Sequence, residues 1–281
     1  MVTDDGVKMT KKNKLLFVTD LDRTIIHSSK FLNNSIMDSI QCVESDGIQN
    51  ISFILTEALQ VQQALSEFIH FVPVTTRSRV LFDRIRIFKD IDYAIIENGA
   101  TILYRGEVLS TWEHQIKQYL LEGDFSRKLS RADELLTDLH YSERGSVSHI
   151  GDKFVMCKTD CPDEMERCLS EELNKDDFHY TIQGRKVYVI PRGITKENAV
   201  SFLEGILETT YTFASGDGML DLGMLLQADV AYVPSDAELL KRVNVDQLDF
   251  YVSPYDSFNA TLDILKKVKE DSMRLLSTKN T

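Results

Sequence analysis

The sequence lacks a long apolar run. None of its 281 residues belongs to an apolar stretch of about 18 residues, the length that a membrane-spanning helix needs. Residues 1–14 are polar and charged, without the apolar segment of a signal peptide. We therefore expect a cytoplasmic protein with no membrane partner.

Positive charge is also scarce. The chain has 32 lysine and arginine residues against 44 aspartate and glutamate residues, which gives a formal net charge of −12. Such a field repels nucleic acid and anionic membrane surfaces, so neither is expected as a general partner. An anionic small substrate would need basic side chains gathered at its binding site.

Cysteine is too sparse and too irregularly spaced for a common zinc site, and no histidine lies close enough in sequence to complete one. We therefore expect ordinary thiols rather than metal ligands. The four cysteines are Cys42, Cys157, Cys161 and Cys168.

A hydrophobic content of 43% is enough to build a buried core. Strand-like and helix-like patterns alternate in residues 14–107 and again in 191–281, which is typical of an α/β core with a parallel sheet. Residues 108–190 have a different pattern, with charged helices followed by a hairpin. This pattern predicts an inserted α+β domain.

The apolar patterns predict individual elements in each part. The first part is predicted to contain a strand at 15–20, a hairpin of 39–44 with 49–54, a helix capped by Thr56, and a helix at 79–88. Pro73 interrupts the apolar run 71–75, so we expect an irregular strand there. The inserted part is predicted to contain helices at 112–122, 127–139 and 162–173, a strand at 146–158, and a hairpin at 180–190. The last part is predicted to contain a helix that begins at Thr195, strands at 211–214, 228–233 and 249–252, and a helix at 257–276.

Acidic and hydroxyl side chains follow three of the apolar runs. Asp20 and Asp22 come after the first strand, Thr75 after the second run, and Asp217 after the strand at 211–214. Because ligands gather at the carboxyl ends of parallel strands, these side chains are predicted to share one rim. Asp221 would lie one helical turn beyond Asp217.

Lys196 occupies the first turn of a predicted helix, where its charge opposes the helix dipole. Helix stability does not favour a lysine at this position. An anion bound at the amino end of the helix would favour it. Clustered aspartates repel one another unless a hard cation joins them, and carboxylates of this kind suit Mg²⁺. Together these residues predict phosphoryl transfer through an aspartyl-phosphate.

Four segments in this order resemble the motifs of the haloacid dehalogenase superfamily. They are Asp20-Leu21-Asp22-Arg23-Thr24, Thr75, Lys196, and Gly216-Asp217-Gly218-Met219-Leu220-Asp221. The insertion between the second and third motifs is similar to that of members with a C2-type cap, such as Cof-like and sucrose-phosphate phosphatases. The resemblance implies a Rossmann-like core at 14–107 and 191–281, a cap at 108–190, and hydrolysis of a small phosphorylated metabolite such as a sugar phosphate.

The resemblance also implies roles for individual residues. Asp20 would be the nucleophile, and Asp22 would protonate the leaving group and then activate water. Thr75 and Lys196 would hold the phosphoryl group. Mg²⁺ would be bound by Asp20, by the main-chain carbonyl of Asp22, and by Asp217, with Asp221 as a water-mediated or supporting ligand. Thr75 competes with Thr76, because one residue of register changes the face that is presented.

Four further residues are candidates for substrate contact: Arg23, Arg77, Asn98 and Lys186. Arg23 replaces a glycine that is often found in the first motif of the superfamily, and Leu220 replaces the asparagine that is common before the last aspartate. Ordinary surface or turn positions remain the alternative for each of the four candidates.

Three other functions remain open. An intramolecular phosphomutase of the phosphomannomutase type would use the same residues. A catalytically silent ligand-binding protein would share the fold, and a calcium module would use Asp20, Asp22 and Thr24, although the spacing lacks the glycine and distal glutamate of an EF-hand. The pattern predicts neither the physiological substrate nor the oligomeric state.

Overall fold

The computed structural model describes residues 14–32, 36–138, 146–244 and 248–278. The β-strands are β1 (Leu15–Thr19), β2 (His27–Ser28), β3 (Ile40–Ser45), β4 (Asn50–Leu55), β5 (His70–Pro73), β6 (Tyr93–Ile96), β7 (Thr101–Tyr104), β8 (Glu107–Val108), β9 (Ser146–Ile150), β10 (Phe154–Lys158), β11 (Phe178–Gln183), β12 (Lys186–Pro191), β13 (Tyr211–Ser215), β14 (Val230–Val233) and β15 (Phe250–Val252). The α-helices are α1 (Thr56–Ser66), α2 (Arg79–Phe82), α3 (Ser110–Glu122), α4 (Phe125–Asp138), α5 (Pro162–Glu172), α6 (Lys196–Leu207), α7 (Leu222–Gln227) and α8 (Ser257–Thr278).

The central sheet has five parallel strands in the order β15-β14-β13-β1-β5. Strand β1 lies inside this sheet and is buried throughout, because its side chains pack on both faces. Leu16 and Val18 join one apolar cluster, whereas Leu15 and Phe17 join the other. The prediction of an α/β core with a parallel sheet is confirmed.

The predicted irregularity at Pro73 is the end of strand β5. Strand β5 pairs with β1 as far as Pro73, whose partner is Thr19. The next residue, Val74, still donates its N–H to the Thr19 carbonyl at 2.7 Å, and it also forms an isolated parallel bridge with Ile95 of β6. The chain directly after Pro73 therefore lies between β1 and β6.

A three-stranded sheet in the order β2-β4-β3 follows the first strand. It contains the hairpin that the sequence predicts, shifted by one residue to β3 and β4. The β3–β4 register slips on both sides of Glu44, which marks a bulge. Bulges redirect side chains, and the Glu44 side chain is buried instead of exposed.

A second sheet contains four antiparallel strands in the order β11-β12-β10-β9. One of its faces, with Val155, Val187 and Val189, packs in a separate apolar cluster with residues of α4 and α5. The opposite face contributes Phe154 and Tyr188 to the cluster of the central sheet. These elements fall within 108–191, because β12 ends at Pro191, one residue past the predicted cap. The domain boundaries at 107/108 and 190/191 stay a prediction.

Three predicted elements differ in the structure. The helix that was expected to be capped by Thr56 begins at Thr56 itself, because β4 runs directly into α1 with Leu55 at the N-cap. The single strand expected at 146–158 is a hairpin of β9 and β10 with a turn at Gly151, where φ is 56°. The helix expected at 79–88 is divided into α2 and a 3₁₀ turn at Arg86–Phe88, because Ile85 is extended and bridges to Glu44.

Within the described part of the chain, no helix combines the length and apolar composition that crossing a membrane requires.

Candidate active site

Asp20 follows the last residue of β1 and is 4% exposed. Its backbone N–H donates to the carbonyl of Ser215 on the neighbouring strand at 2.8 Å. The parallel register pairs Thr19 with Ser215, so the loop after β13 starts beside Asp20. The predicted meeting of the first and last motifs at one sheet edge is present in the structure.

Lys196 is the first residue of α6 and is 1% exposed. Thr195 caps the helix, and its hydroxyl accepts a hydrogen bond from the backbone of Asn198. The Lys196 Nζ donates to Asp20 Oδ1 at 2.6 Å, to Asp221 Oδ1 at 2.6 Å and to the carbonyl of Val74 at 3.1 Å. Burial opposes the charge of this ammonium, but Asp20 and Asp221 outweigh burial and raise the pKa of Lys196 above its ordinary value.

Asp221 fixes the loop that carries Asp217. Its Oδ2 accepts the backbone N–H groups of Asp217 at 3.0 Å and Gly218 at 2.8 Å. Gly216 is required here, because a Cβ atom at that position would lie 2.5 Å from the Cβ of Asp221. The loop therefore presents the side chain of Asp217 toward Asp20.

Both carboxylate oxygens of Asp217 are buried and accept no hydrogen bond from any residue that the structure describes. The nearest described cation is Arg23, whose Nε lies 3.4 Å from Asp217 Oδ2. A buried carboxylate without hydrogen bonds is costly unless a cation satisfies it. Burial and the neighbouring charges of Asp20 and Asp221 accordingly raise the pKa of Asp217.

Asp20, Asp217 and Asp221 each offer one carboxylate oxygen within 4.8 Å of the others. Burial is the main cause that raises the pKa of Asp20, and the charge of Asp221 adds to it. An all-oxygen donor set of this kind suits a hard divalent cation such as Mg²⁺. The oxygens of Asp217 support this fit, since they accept no hydrogen bond from any described residue and have only the Arg23 guanidinium at 3.4 Å nearby.

Asp22 lies outside this cluster and is held by Arg77. Arg77 donates from Nε to Asp22 Oδ2 and from Nη2 to Asp22 Oδ1, both at 2.7 Å. Its Nη1 donates to Glu44 Oε1 at 2.8 Å, and the other oxygen of Glu44 accepts from Ser52 at 2.5 Å. Burial acts to raise the pKa of Asp22, but the hydrogen bonds and charge of Arg77, followed by the charge of Lys186, hold it below its ordinary value.

Thr75 is 1% exposed and lies directly after Val74, whose carbonyl binds Lys196. Its hydroxyl accepts the backbone N–H of Arg77 at 3.2 Å. The neighbouring Thr76 lines the cleft beside Asp22, as does Tyr188 of β12. The preference for Thr75 over Thr76 as the phosphate ligand stays a prediction.

A cleft of about 460 Å³ opens beside Asp22 between the central part and the four-stranded sheet. Three of the four predicted substrate-contact residues line it, namely Arg23, Arg77 and Lys186. The fourth, Asn98, lies elsewhere: it is 1% exposed, and its Nδ2 donates to the carbonyl of Ile194 at 3.1 Å.

Arg23 has a left-handed backbone with φ of 66°. This conformation explains why glycine is common at the position, because glycine adopts it without a steric cost. Arg23 carries that cost and places its guanidinium in the cleft, where Nη2 donates to the carbonyl of Asp236 at 3.2 Å.

Sequence patterns missed several cleft residues, including Glu44, Arg84, Tyr188 and Glu238. For Glu44, the only hint in the sequence was a charged residue within a strand that is otherwise half apolar. Its burial depends on the β3–β4 bulge, which the alternating pattern does not reveal.

No protein-family model matches the sequence, and no curated protein matches it. Solved structures do match its fold. The sucrose-phosphatase of Synechocystis sp. is 16% identical, with a TM-score of 0.61 over 90% of this chain and 97% of that chain. A phosphatase of the haloalkanoate enzyme superfamily from Bacteroides thetaiotaomicron is 16% identical, with a TM-score of 0.53 over 93% of this chain and 97% of that chain. A haloacid dehalogenase-like hydrolase from Bacillus subtilis is 15% identical, with a TM-score of 0.53 over 92% of each chain.

The chain has the fold of the haloacid dehalogenase phosphatases. The resemblance predicted from the four motifs is thus confirmed for the fold, with its core and its cap. Because these identities are low, the chemistry has to be argued from the side chains of this chain.

Proposed function

We propose that this protein is a Mg²⁺-dependent phosphomonoesterase that acts through an aspartyl-phosphate on Asp20. The observation that carries the proposal is the buried bridge from Lys196 to Asp20 and Asp221, beside the unsatisfied carboxylate of Asp217. The three carboxylates of Asp20, Asp217 and Asp221 carry more negative charge than the single ammonium of Lys196 neutralises. A divalent cation would balance the remaining negative charge, and it would also bind the phosphate of a substrate.

In the first step, an oxygen of Asp20 attacks the phosphorus, and the bond from phosphorus to the leaving oxygen breaks. Lys196 and Thr75 orient the phosphoryl group and offset its charge. The leaving alkoxide takes a proton from Asp22. Because Arg77 favours the ionised form of Asp22, this step requires the Asp22–Arg77 contacts to loosen as substrate enters.

In the second step, water attacks the phosphorus of the aspartyl-phosphate, and Asp22 accepts the proton of that water. The bond between phosphorus and Asp20 breaks, which releases phosphate and restores the carboxylate. The ionised Asp22 that Arg77 stabilises is the form this step needs. Mg²⁺, held by Asp20, Asp217, Asp221 and the carbonyl of Asp22, would supply charge neutralisation for the phosphoryl oxygens.

The substrate that this cleft supports best is a small phosphorylated metabolite such as a sugar phosphate. Its volume of about 460 Å³ is in the range of small-molecule sites. Most of the residues that line it are polar or charged, which suits a hydroxylated leaving group. The sucrose-phosphatase that shares the fold adds support by analogy.

The test is phosphate release from a panel of sugar phosphates and from p-nitrophenyl phosphate, with and without Mg²⁺. Wild-type turnover should require Mg²⁺ and should be lost in Asp20→Asn, whereas Asp90→Asn, an exposed surface change, should retain it. Absence of phosphate release from every ester by folded wild-type protein would contradict the proposal. Isomerised sugar phosphate without free phosphate would instead identify a phosphomutase.

A further inference from the structure

Two basic side chains line the cleft without an ion-pair partner among the residues that the structure describes. Lys186 begins β12 on the four-stranded sheet, and Arg84 follows α2 on the central part. Neither forms an ion pair with any residue in the described ranges 14–32, 36–138, 146–244 and 248–278. The pKa of Asp46 is lowered mainly by backbone hydrogen bonds from Gln49 and Ile48, and the charge of Arg84 is only a minor cause.

The other cations of the cleft are already engaged. Arg77 is neutralised by Asp22 and Glu44. Arg23 lies 3.4 Å from Asp217 and 3.9 Å from Asp236. The remaining acid of the lining, Glu238, has Arg242 as its ion-pair partner at 4.0 Å. Four basic and three acidic side chains line the cleft, so its lining has a net positive charge, in a protein whose formal net charge is −12.

Fold stability does not account for Lys186. The antiparallel register places Lys158 of β10 directly opposite Lys186. Like charges at directly opposed positions destabilise a β-sheet. The Lys158–Lys186 pair does not stabilise the sheet, so the positive charge of Lys186 points to a role in binding.

We propose that Lys186 and Arg84 form a subsite for a second anionic group, a carboxylate or a second phosphate, on the leaving-group side of the substrate. This inference rests on the proposed phosphatase function and specifies its substrate class. Lys186 is close enough to Asp22 for its charge to lower the pKa of that carboxyl, after burial and Arg77. Tyr188 and Gln183 of the same hairpin line the cleft and can bind hydroxyls, so phosphorylated sugar acids and sugar bisphosphates fit the site.

Paired esters that differ only in the second anion test the subsite. For the carboxylate, 6-phosphogluconate is compared with sorbitol 6-phosphate; for the phosphate, fructose 1,6-bisphosphate is compared with fructose 6-phosphate. We expect kcat/KM to be about tenfold or more higher for one of the two members with a second anionic group, mainly through KM, as a charge-assisted contact provides. The pair that shows the preference identifies the second group.

Variants assign the effect to the two side chains. Lys186→Met and Arg84→Met should each remove most of the preference, measured as the ratio of kcat/KM between the two members of a pair. Arg185→Met is the control, because Arg185 is adjacent in sequence, pairs with Asp160 and does not line the cleft. It should keep the full preference.

Binding is measured separately by calorimetry on Asp20→Asn, so that the subsite is tested without turnover. Equal affinity for both members of each pair, or a preference that survives Lys186→Met, would overturn the subsite. A binding preference in the absence of phosphate release from every ester would retain the subsite and overturn the phosphatase. The two failures are thereby distinguishable.

Discussion

Arg77 binds both carboxylate oxygens of Asp22 at 2.7 Å and is itself 12% exposed. The same guanidinium reaches the buried Glu44 at 2.8 Å. One arginine therefore links the candidate acid and base to the hairpin that follows the first strand. Arg77 is a positioning residue for Asp22, although it was expected from the sequence only as a possible substrate contact.

Arg77→Met should destabilise the fold by about 3 kcal/mol or more, because it leaves the carboxylate of Glu44 buried without its partner. The double variant Arg77→Met with Glu44→Gln should recover part of that loss. Urea unfolding of the single and double variants measures both effects. Arg79→Met removes an exposed pair with Asp83 and should cost less than about 1 kcal/mol. An Arg77→Met loss no larger than that of Arg79→Met would contradict the argument.

Asp217→Asn should separate stability from metal binding. Burial and the charges of Asp20 and Asp221 favour the protonated form of Asp217, so the ionised side chain opposes folding near neutral pH when no cation is present. We expect the neutral variant to unfold at the same or a higher temperature than wild type without Mg²⁺. Addition of Mg²⁺ should raise the Tm of wild type by mass action but not that of the variant. A full Mg²⁺-dependent shift in Asp217→Asn would show that the cation binds elsewhere.

Arg23→Gly tests why an arginine occupies a left-handed position. Glycine relieves a conformational cost of about 1 kcal/mol but gains freedom in the unfolded chain, so the free energy of unfolding should change by less than about 1 kcal/mol. If Arg23 contacts substrate from the cleft, KM should rise severalfold. Arg105→Gly is the matched control: Arg105 has φ of 48° and lies outside the cleft lining. Equal KM for the two variants would remove Arg23 from the binding site.

The residues that sequence reasoning brings together are those whose position follows from strand order. Asp20 ends a buried strand, and Lys196 starts a helix with a recognisable cap. Asp217 follows another apolar run, and parallel strands place such ends at one edge. Local pattern and global fold agree at these positions, so the cluster of Asp20, Asp217 and Asp221 was predictable before the structure.

The residues that sequence reasoning misses depend on irregular backbone and on tertiary contact. Glu44 is turned inward by a bulge, and the helix expected through Ile85 is broken because that residue pairs with Glu44. Lys186 was a candidate from the sequence, but Arg84, in the turn after α2, was not, because nothing in the sequence shows that these two distant segments share a cleft. The periodicity of one segment carries no information about which other segment will face it.

His27 should make stability depend on pH. Its Nε2 lies 2.8 Å from the hydroxyl of Thr261, and that hydroxyl donates to the carbonyl of Thr24 at 2.7 Å. His27 is therefore the neutral tautomer with a proton on Nε2, and its buried Nδ1 has no described partner for a second proton. Burial, followed by the charge of Arg23, lowers the pKa of His27 to about 3.

The folded pKa of His27 lies below the value of about 6.5 that holds in the unfolded chain. Between these values the unfolded state binds the proton and the folded state does not, so stability is full above pH 6.5 and decreases as the pH falls. Between pH 6.5 and pH 4 this one residue should account for about 3 kcal/mol of the loss. His27→Gln keeps a donor near Thr261 without a titrating ring, so its unfolding free energy should depend less steeply on pH over this range. His149→Gln, at an exposed pair with Asp133, should keep the wild-type slope, and an unchanged slope in His27→Gln would mean that other groups carry the acid sensitivity.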